Sequence, residues 1–201
     1  NVTIDDLVIN DVKLGKAKFG FNNMLSKNEF AADIRMSYNE PNSGQIIPLS
    51  IKGKVNLADK NDNLDLKVDM QEFDIRIIEN YLSSLSSYVR GKISAENLLV
   101  KGKFTQPHIA GSLKIKDGAM KIDMLNTTYS FNDELFVNDN IFTMDNFVLQ
   151  DAQKNKITIN GTITHDNFTN FDLNLKAKAD KIKVLDTEES VDQMYYGTVY
   201  A

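Results

Sequence analysis

The chain has 201 residues, of which 42% are hydrophobic and 25% charged, enough apolar material for a sizeable fold and too much for a disordered chain. The net charge of −5 and a pI of about 5.1 argue against a surface that neutralises nucleic-acid phosphates or reaches anionic headgroups by charge alone. With no cysteine, disulfides, thiolate metal sites and cysteine nucleophiles are excluded.

From Val2-Thr3-Ile4 onward the sequence reads as strands. Phe30, Ala32, Ile34, Met36 and Tyr38 alternate with Asp33, Arg35 and Ser37, and a loop follows at Asn39–Gly44. Leu49, Ile51, Gly53, Val55 and Leu57 alternate with Ser50, Lys52, Lys54 and Asn56, and a polar turn runs from Asp59 to Asn63. Leu64, Leu66, Val68 and Met70 continue the pattern. Between Ile77 and Tyr88 the spacing changes: Ile77, Ile78, Tyr81, Leu82, Leu85 and Tyr88 predict one short amphipathic helix. Strand patterns resume at Leu98, Val100, Gly102 and Phe104, and Asp117-Gly118 predicts a two-residue hairpin. Ile157, Ile159, Gly161 and Ile163, then Phe171, Leu173, Leu175 and Ala177, close the series. Strict period-two alternation marks strands with one wet and one apolar face, the habit of antiparallel sheets. No apolar run approaches the roughly 18 residues of a membrane helix. Because strand patterns reach both ends, the sequence is expected to be a segment of a longer polypeptide whose targeting and anchoring signals lie outside it.

An internal repeat runs through the series. Leu49–Val55 resembles Ile157–Ile163, Leu64–Val68 resembles Phe171–Leu175, Phe73–Ile78 resembles Asp180–Leu185, and Tyr88–Ala95 resembles Met194–Ala201. The spacing drifts from 108 at Gly53/Gly161 through 107 at Leu66/Leu173 to 106 at Gly91/Gly197, as single-residue turn deletions would give. The expected domains are a repeat over 1–88 ending in the helix, and a second over 89–201 that continues the same sheet into the next copy. The counterpart of the helix, Thr187–Asp192, is polar and reads as a loop. Gly53, Gly91, Gly102, Gly111, Gly161 and Gly197 fall on apolar positions. Glycine weakens a strand, so these six are expected to mark bends where a sheet curls, with clearance for a ligand as a compatible reading.

The chemistry-bearing residues are sparse. His108 and His165 stand alone, without metal-ligand spacing, and each reads as a surface or turn residue. Asp5-Asp6 and Glu188-Glu189 are adjacent, so on strands they face opposite ways. Asp59-Lys60-Asn61-Asp62-Asn63 lacks the spacing, glycine and terminal glutamate of a calcium loop. No catalysis and no cofactor are expected.

The run Val89-Arg90-Gly91-Lys92-Ile93, then Leu98-Leu99-Val100-Lys101-Gly102-Lys103-Phe104-Thr105-Gln106-Pro107-His108-Ile109-Ala110-Gly111-Ser112-Leu113, resembles the G-x-L … L-x-G-x-x-x-x-P-x-x-x-G-x-L pattern of TamB, the inner-membrane subunit of the bacterial translocation and assembly module, grouped with AsmA-like proteins. Asn155–Phe168 and Met194–Ala201 are similar to later parts of the same region. The resemblance covers 89–201 and reaches 1–88 through the repeat. It implies an all-β fold, a long curled antiparallel sheet or β-taco with an apolar concave face. It implies a place in the periplasm of a Gram-negative bacterium, anchored in the inner membrane, and a TamA-like outer-membrane barrel as partner. Two activities go with it: passage of phospholipid acyl chains along the groove, and assembly of unfolded outer-membrane proteins by strand templating.

Leu66, Val68, Met70, Leu113, Ile115, Met120, Ile122, Ile159, Leu173 and Leu175 all occupy apolar positions and are the candidates for lining such a groove. Flexible methionines, Met124 included, suit loosely fitted chains. A closed β-sandwich, as in an adhesin or a carbohydrate-binding module, would use the same residues as an ordinary core, although the absence of Trp weakens a sugar platform.

Overall fold

A computed structural model describes residues 1–9, 11–26, 28–40, 44–83, 85–166, 169–187 and 197–201. Eleven strands form one sheet: β1 (Val2–Ile9), β2 (Val12–Ser26), β3 (Glu29–Glu40), β4 (Gly44–Asn56), β5 (Leu64–Asp74), β6 (Val89–Lys103), β7 (Gln106–Ile122), β8 (Thr127–Asn138), β9 (Ile141–Gln150), β10 (Lys156–Asp166) and β11 (Thr169–Ala179). Their order in space is their order in sequence, and every neighbouring pair is antiparallel. β12 (Lys183–Thr187) and β13 (Gly197–Tyr200) pair separately.

Register keeps the apolar residues on one side. Val2, Phe19, Ile34, Ile51, Val68 and Leu98 stand opposite one another from β1 to β6. Gly111, Val137, Phe142, Ile163 and Leu173 do the same from β7 to β11. Leu98 lies over Gly111, so the two rows join into one apolar line across all eleven strands. The intervening residues are polar: Lys54, Asp65, Lys101 and His108 form one such row, with an Asp65–Lys101 ion pair of 3.3 Å.

The apolar face is concave. In a flat sheet β2 and β5 would stand about 14 Å apart. Instead Val12 and Leu14 of β2 share a packed cluster with Phe73 of β5, joined by Met36, Leu49, Met70 and Ile77. No second sheet faces this surface among the described residues, and the exposed area reflects that. The chain exposes 13022 Å² at 22.7 kDa, whereas a compact monomer of that mass exposes about 9,500 Å².

The curl is built from bulges. Glu72, Asn97, Asp117 and Asn146 have φ of 47°, 53°, 51° and 52°. Each lies at or beside an interruption of the ladder to a neighbouring strand. A bulge leaves a backbone amide without its ladder partner, and here a side chain on the adjacent strand accepts it. Ser94 Oγ takes the Glu72 amide (3.1 Å), Asp69 Oδ1 the Asn97 amide (2.8 Å), Asn160 Oδ1 the Asn146 amide (2.8 Å), and Asn132 Oδ1 the Asp117 amide. This corrects the hairpin expected at Asp117-Gly118. Both residues lie inside β7, which runs unbroken from Gln106 to Ile122, because the left-handed turn at Asp117 is spent on a bulge and not on a reversal.

The segment expected as a helix over 77–88 is shorter and begins earlier. A 3-10 turn at Ile75–Ile78 runs into one α-turn at Glu79–Leu82. The residues after it hydrogen-bond to the end of β7, Asp123 N to Leu85 O at 3.1 Å and Lys121 N to Tyr88 O at 3.0 Å, which ends the helix. Ile75 is buried under this turn, and its repeat counterpart Ile182 is buried at the entry to β12. The polar loop expected as the helix counterpart, Thr187–Asp192, lies outside the described residues except for Thr187, which ends β12.

Asp74 joins the turn to the sheet. Its carboxylate accepts the Arg76 amide (3.1 Å) and guanidinium (2.8 Å), and Lys92 Nζ of β6 (3.3 Å). Burial pushes its pKa up, but these bonds outweigh it and hold the carboxyl down at about 2. A carboxyl with a depressed folded pKa contributes its full stability above its unfolded value near 4, and loses it as pH falls through the folded value. Asp74→Asn should therefore cost about 2 kcal/mol at neutral pH. Urea denaturation should show the gap between variant and parent closing as pH falls from about 4 to about 2.

Candidate functional site: an open apolar face

The face that β1 to β11 curl around is half covered. Val68, Ala95 and Leu98 are buried in one cluster, with Met70 and Leu113 packed against it. Ile115, Phe131 and Phe147 form the next, with Met120 at its margin and the two phenylalanine rings 5.7 Å apart. Leu66, Ile159 and Leu175 are half-buried, and Leu173 is 59% exposed. Ile122 is half-buried at the far end of β7, opposite Thr127. Packing is thus tight in the curled middle and opens toward β11.

Several residues that form this surface carry no alternation signal. Phe131 and Phe147 flank bulged stretches, where Asp133-Glu134 and Asp145-Asn146 break the period of two. Val12 and Leu14 become core residues only because β2 bends toward β5.

Two glycines sit where a side chain would not fit. Gly53 and Gly161 have φ of +150° and +139°, a region that side chains avoid. A Cβ on Gly53 would overlap the Asp65 carbonyl oxygen and stand 2.8 Å from Leu66 Cα. On Gly161 it would overlap the Asn174 carbonyl oxygen and stand 3.0 Å from Leu175 Cα. The two sites are the same in structure. Their cross-strand partners are Leu66 and Leu175, a spacing of 109, so the pairing of Leu66 with Leu173 read from sequence is off by two residues. A two-residue shift leaves every side chain on its own face, which is why the alternation did not reveal it. Gly91, Gly102, Gly111 and Gly197 also have positive φ.

No group of three or more His, Cys, Asp or Glu able to hold a metal occurs among the described residues. His108 is exposed and pairs with Asp139 at 3.0 Å. His165 is not the surface residue expected: it is 7% exposed, its ring 5.0 Å from Phe142 and 6.1 Å from Phe171, and burial lowers its pKa against the pull of Asp166. Asp151, also buried, accepts the amides of Gln153, Asn155 and Lys183, and Tyr129 donates its hydroxyl to Lys183 O at 2.8 Å. That network fastens the entry to β12 to the end of the sheet. Burial works against the Asp151 carboxylate, and the hydrogen bonds bring its pKa below the ordinary value.

The TamB C-terminal domain family matches residues 145–199, the stretch that holds most of β9, all of β10, β11 and β12, and the start of β13. No curated protein and no solved structure matches the chain. No helix among the described residues is long and apolar enough to cross a membrane.

The glycine geometry is open to test. Gly53→Ala and Gly161→Ala should each cost about 1–3 kcal/mol, the range for a strained backbone conformer. Gly197→Ala should cost less, because at its φ of +115° the new side chain meets backbone strain alone, with no atom of the described residues within 4 Å of the added Cβ. Denaturant midpoints of the three variants would read the difference.

Proposed function

We propose that this TamB-like chain is a segment of a periplasmic protein that links the inner and outer membranes and carries phospholipid acyl chains along its concave face. The observation that carries the reading is the apolar line from Val2 to Leu173, which no second layer covers among the described residues. An uncovered apolar surface of this extent marks a binding surface. Each acyl CH₂ buried on it gains roughly 0.8 kcal/mol. A face built of aliphatic and phenylalanine side chains with Met70 and Met120 at its margins grips chains without reading their structure, and charged headgroups remain in water at the lip. Anchorage in the inner membrane and contact with a TamA-like barrel belong to this proposal.

The terminal strands β1 and β11, each hydrogen-bonded on one side only, favour a second reading. Unfolded outer-membrane proteins would add a strand there, as peptides do on open sheet edges.

Substitution separates a groove from a closed core. Leu173→Glu should leave the fold intact, with stability changed by no more than about 0.5 kcal/mol, because the side chain already reaches water. Phe147→Glu, at a 2% exposed position, should unfold the chain. Photocrosslinkers at Leu66, Ile159 and Leu173 in growing cells should capture phospholipid, and Leu173→Glu should reduce the yield. Capture of unfolded outer-membrane protein at Val2 of β1 and Asn174 of β11, with no lipid at the three groove positions, would replace the conduit with strand templating.

A further inference from the structure

We infer that the concave face is sealed along one rim by two straps, Ile75–Leu82 and Lys183–Thr187, and that acyl chains enter and leave it only across the opposite rim. The inference takes its guest from the lipid reading and its seal from the fold alone.

Every strand pair is antiparallel, so successive connections fall at alternate ends of the strands and the face has two rims. One rim carries the connections at 57–63, 104–105 and 139–140. The other carries those at 75–88, 123–126 and 151–155, and the chain that follows β11.

At this second rim the chain makes the same crossing twice. After β5 it turns back over the apolar side toward β2, three strands away, where Ile77 packs on the cluster of Val12, Leu14 and Phe73. After β11 it turns back toward β8, also three strands away. There the Tyr129 hydroxyl donates to Lys183 O at 2.8 Å, and Asn126 Nδ2 donates to Asp186 O at 2.6 Å. Equivalent residues do the fastening. Ile75 and Ile182, 107 apart, are 6% and 0% exposed. The amides that follow them, Arg76 and Lys183, each donate to a carboxylate: Asp74 Oδ1 at 3.1 Å and Asp151 Oδ2 at 3.0 Å. One carboxylate precedes its own strap and the other comes from the β9–β10 connection, so the two repeats reach the same closure by different bonds. Neither strap depends on an unpaired edge of the eleven-stranded sheet.

The first rim is built differently. Its connections at 104–105 and 139–140 are two residues long, and the one at 57–63 is closed on itself by the Asn56 amide on Asn63 O at 2.8 Å. Asn63 Oδ1 accepts the Phe104 amide at 3.3 Å, which ties two neighbouring turns together without crossing the face. Leu57 continues the apolar row of β4 and Phe104 that of β6, and they are 62% and 50% exposed. An apolar lip shortens the stretch of water that an acyl chain must cross to reach the face. The strapped rim also has an exposed apolar residue, Met124 at 78%, so exposure alone does not distinguish the rims. The straps do.

Two experiments on the whole chain test the seal and the route separately. The chain has no cysteine, so single substitutions report one site each. Ile75→Cys and Ile182→Cys, shown to be folded by circular dichroism, should react with a maleimide at least about a hundred-fold more slowly than Phe104→Cys. Either one reacting as fast as Phe104→Cys would overturn the seal, whether or not lipid is bound. For the route, photocrosslinkers at Leu57, Phe104 and Met124 in growing cells should capture phospholipid at the first two positions about ten-fold more than at Met124, the discrimination that about two CH₂ groups left in water would give. Capture at Met124 equal to that at Leu57, with lipid also found at Leu66, would overturn the inference and leave the lipid reading standing. No lipid at Leu66 or at either rim would overturn both.

Discussion

The structure depends on one constraint: an eleven-stranded sheet with an apolar face that, among the described residues, no second layer covers beyond the small β12–β13 pair at its end. Eleven strands each present alternate residues to the same side, and water would be in contact with all of them if the sheet were flat. Curling is the remaining way to remove apolar surface. That is why Val12 and Leu14 meet Phe73 across two intervening strands, and why burial is complete in the middle of the curl and partial toward β11. Curvature needs backbone conformations that regular strands do not supply, and the bulges at Glu72, Asn97, Asp117 and Asn146 supply them. Each of those four bulges exposes an amide that must be satisfied, so Ser94, Asp69, Asn132 and Asn160 are as much part of the curl as the bulges themselves.

The parts legible in sequence are those set by period. The alternation from Phe30 to Tyr38, Leu49 to Leu57 and Phe171 to Ala177 places strands and faces correctly, because one face is buried and a register slip would expose it. Asp117-Gly118 misleads because a left-handed residue before glycine serves a bulge as well as a turn. What decides between them is whether the flanking stretches pair with each other or with β6 and β8, a long-range fact. The helix at 77–88 fails for a related reason. Its apolar spacing is helical, but hydrogen bonds from Lys121 and Asp123 claim the carbonyls of Tyr88 and Leu85. His165 reads as a turn residue from its polar neighbours, and only the approach of β9 and β11 shows the aromatic pocket made by Phe142 and Phe171.

The TamB C-terminal domain model matches residues 145–199, the part of the chain that runs from β9 into β13. The clusters around Leu98 and Phe147 hold the curl, and the positions at Leu66, Ile159 and Leu175 stay half-buried. A change near β7 to β9 therefore threatens the fold, and a change near β11 alters the open end of the face. The proposed strand pairing would use backbone groups at β1 and β11 instead, so the two proposed activities would occupy different parts of one molecule.

Whether the concave face holds lipid is decided most directly by native mass spectrometry of the chain purified from bacteria without detergent. The account predicts charge-state series for the polypeptide carrying one or more phospholipid masses, released on collisional activation and identified as the lipids of the host envelope. A spectrum of bare polypeptide alone, from protein that is folded by circular dichroism, would contradict it.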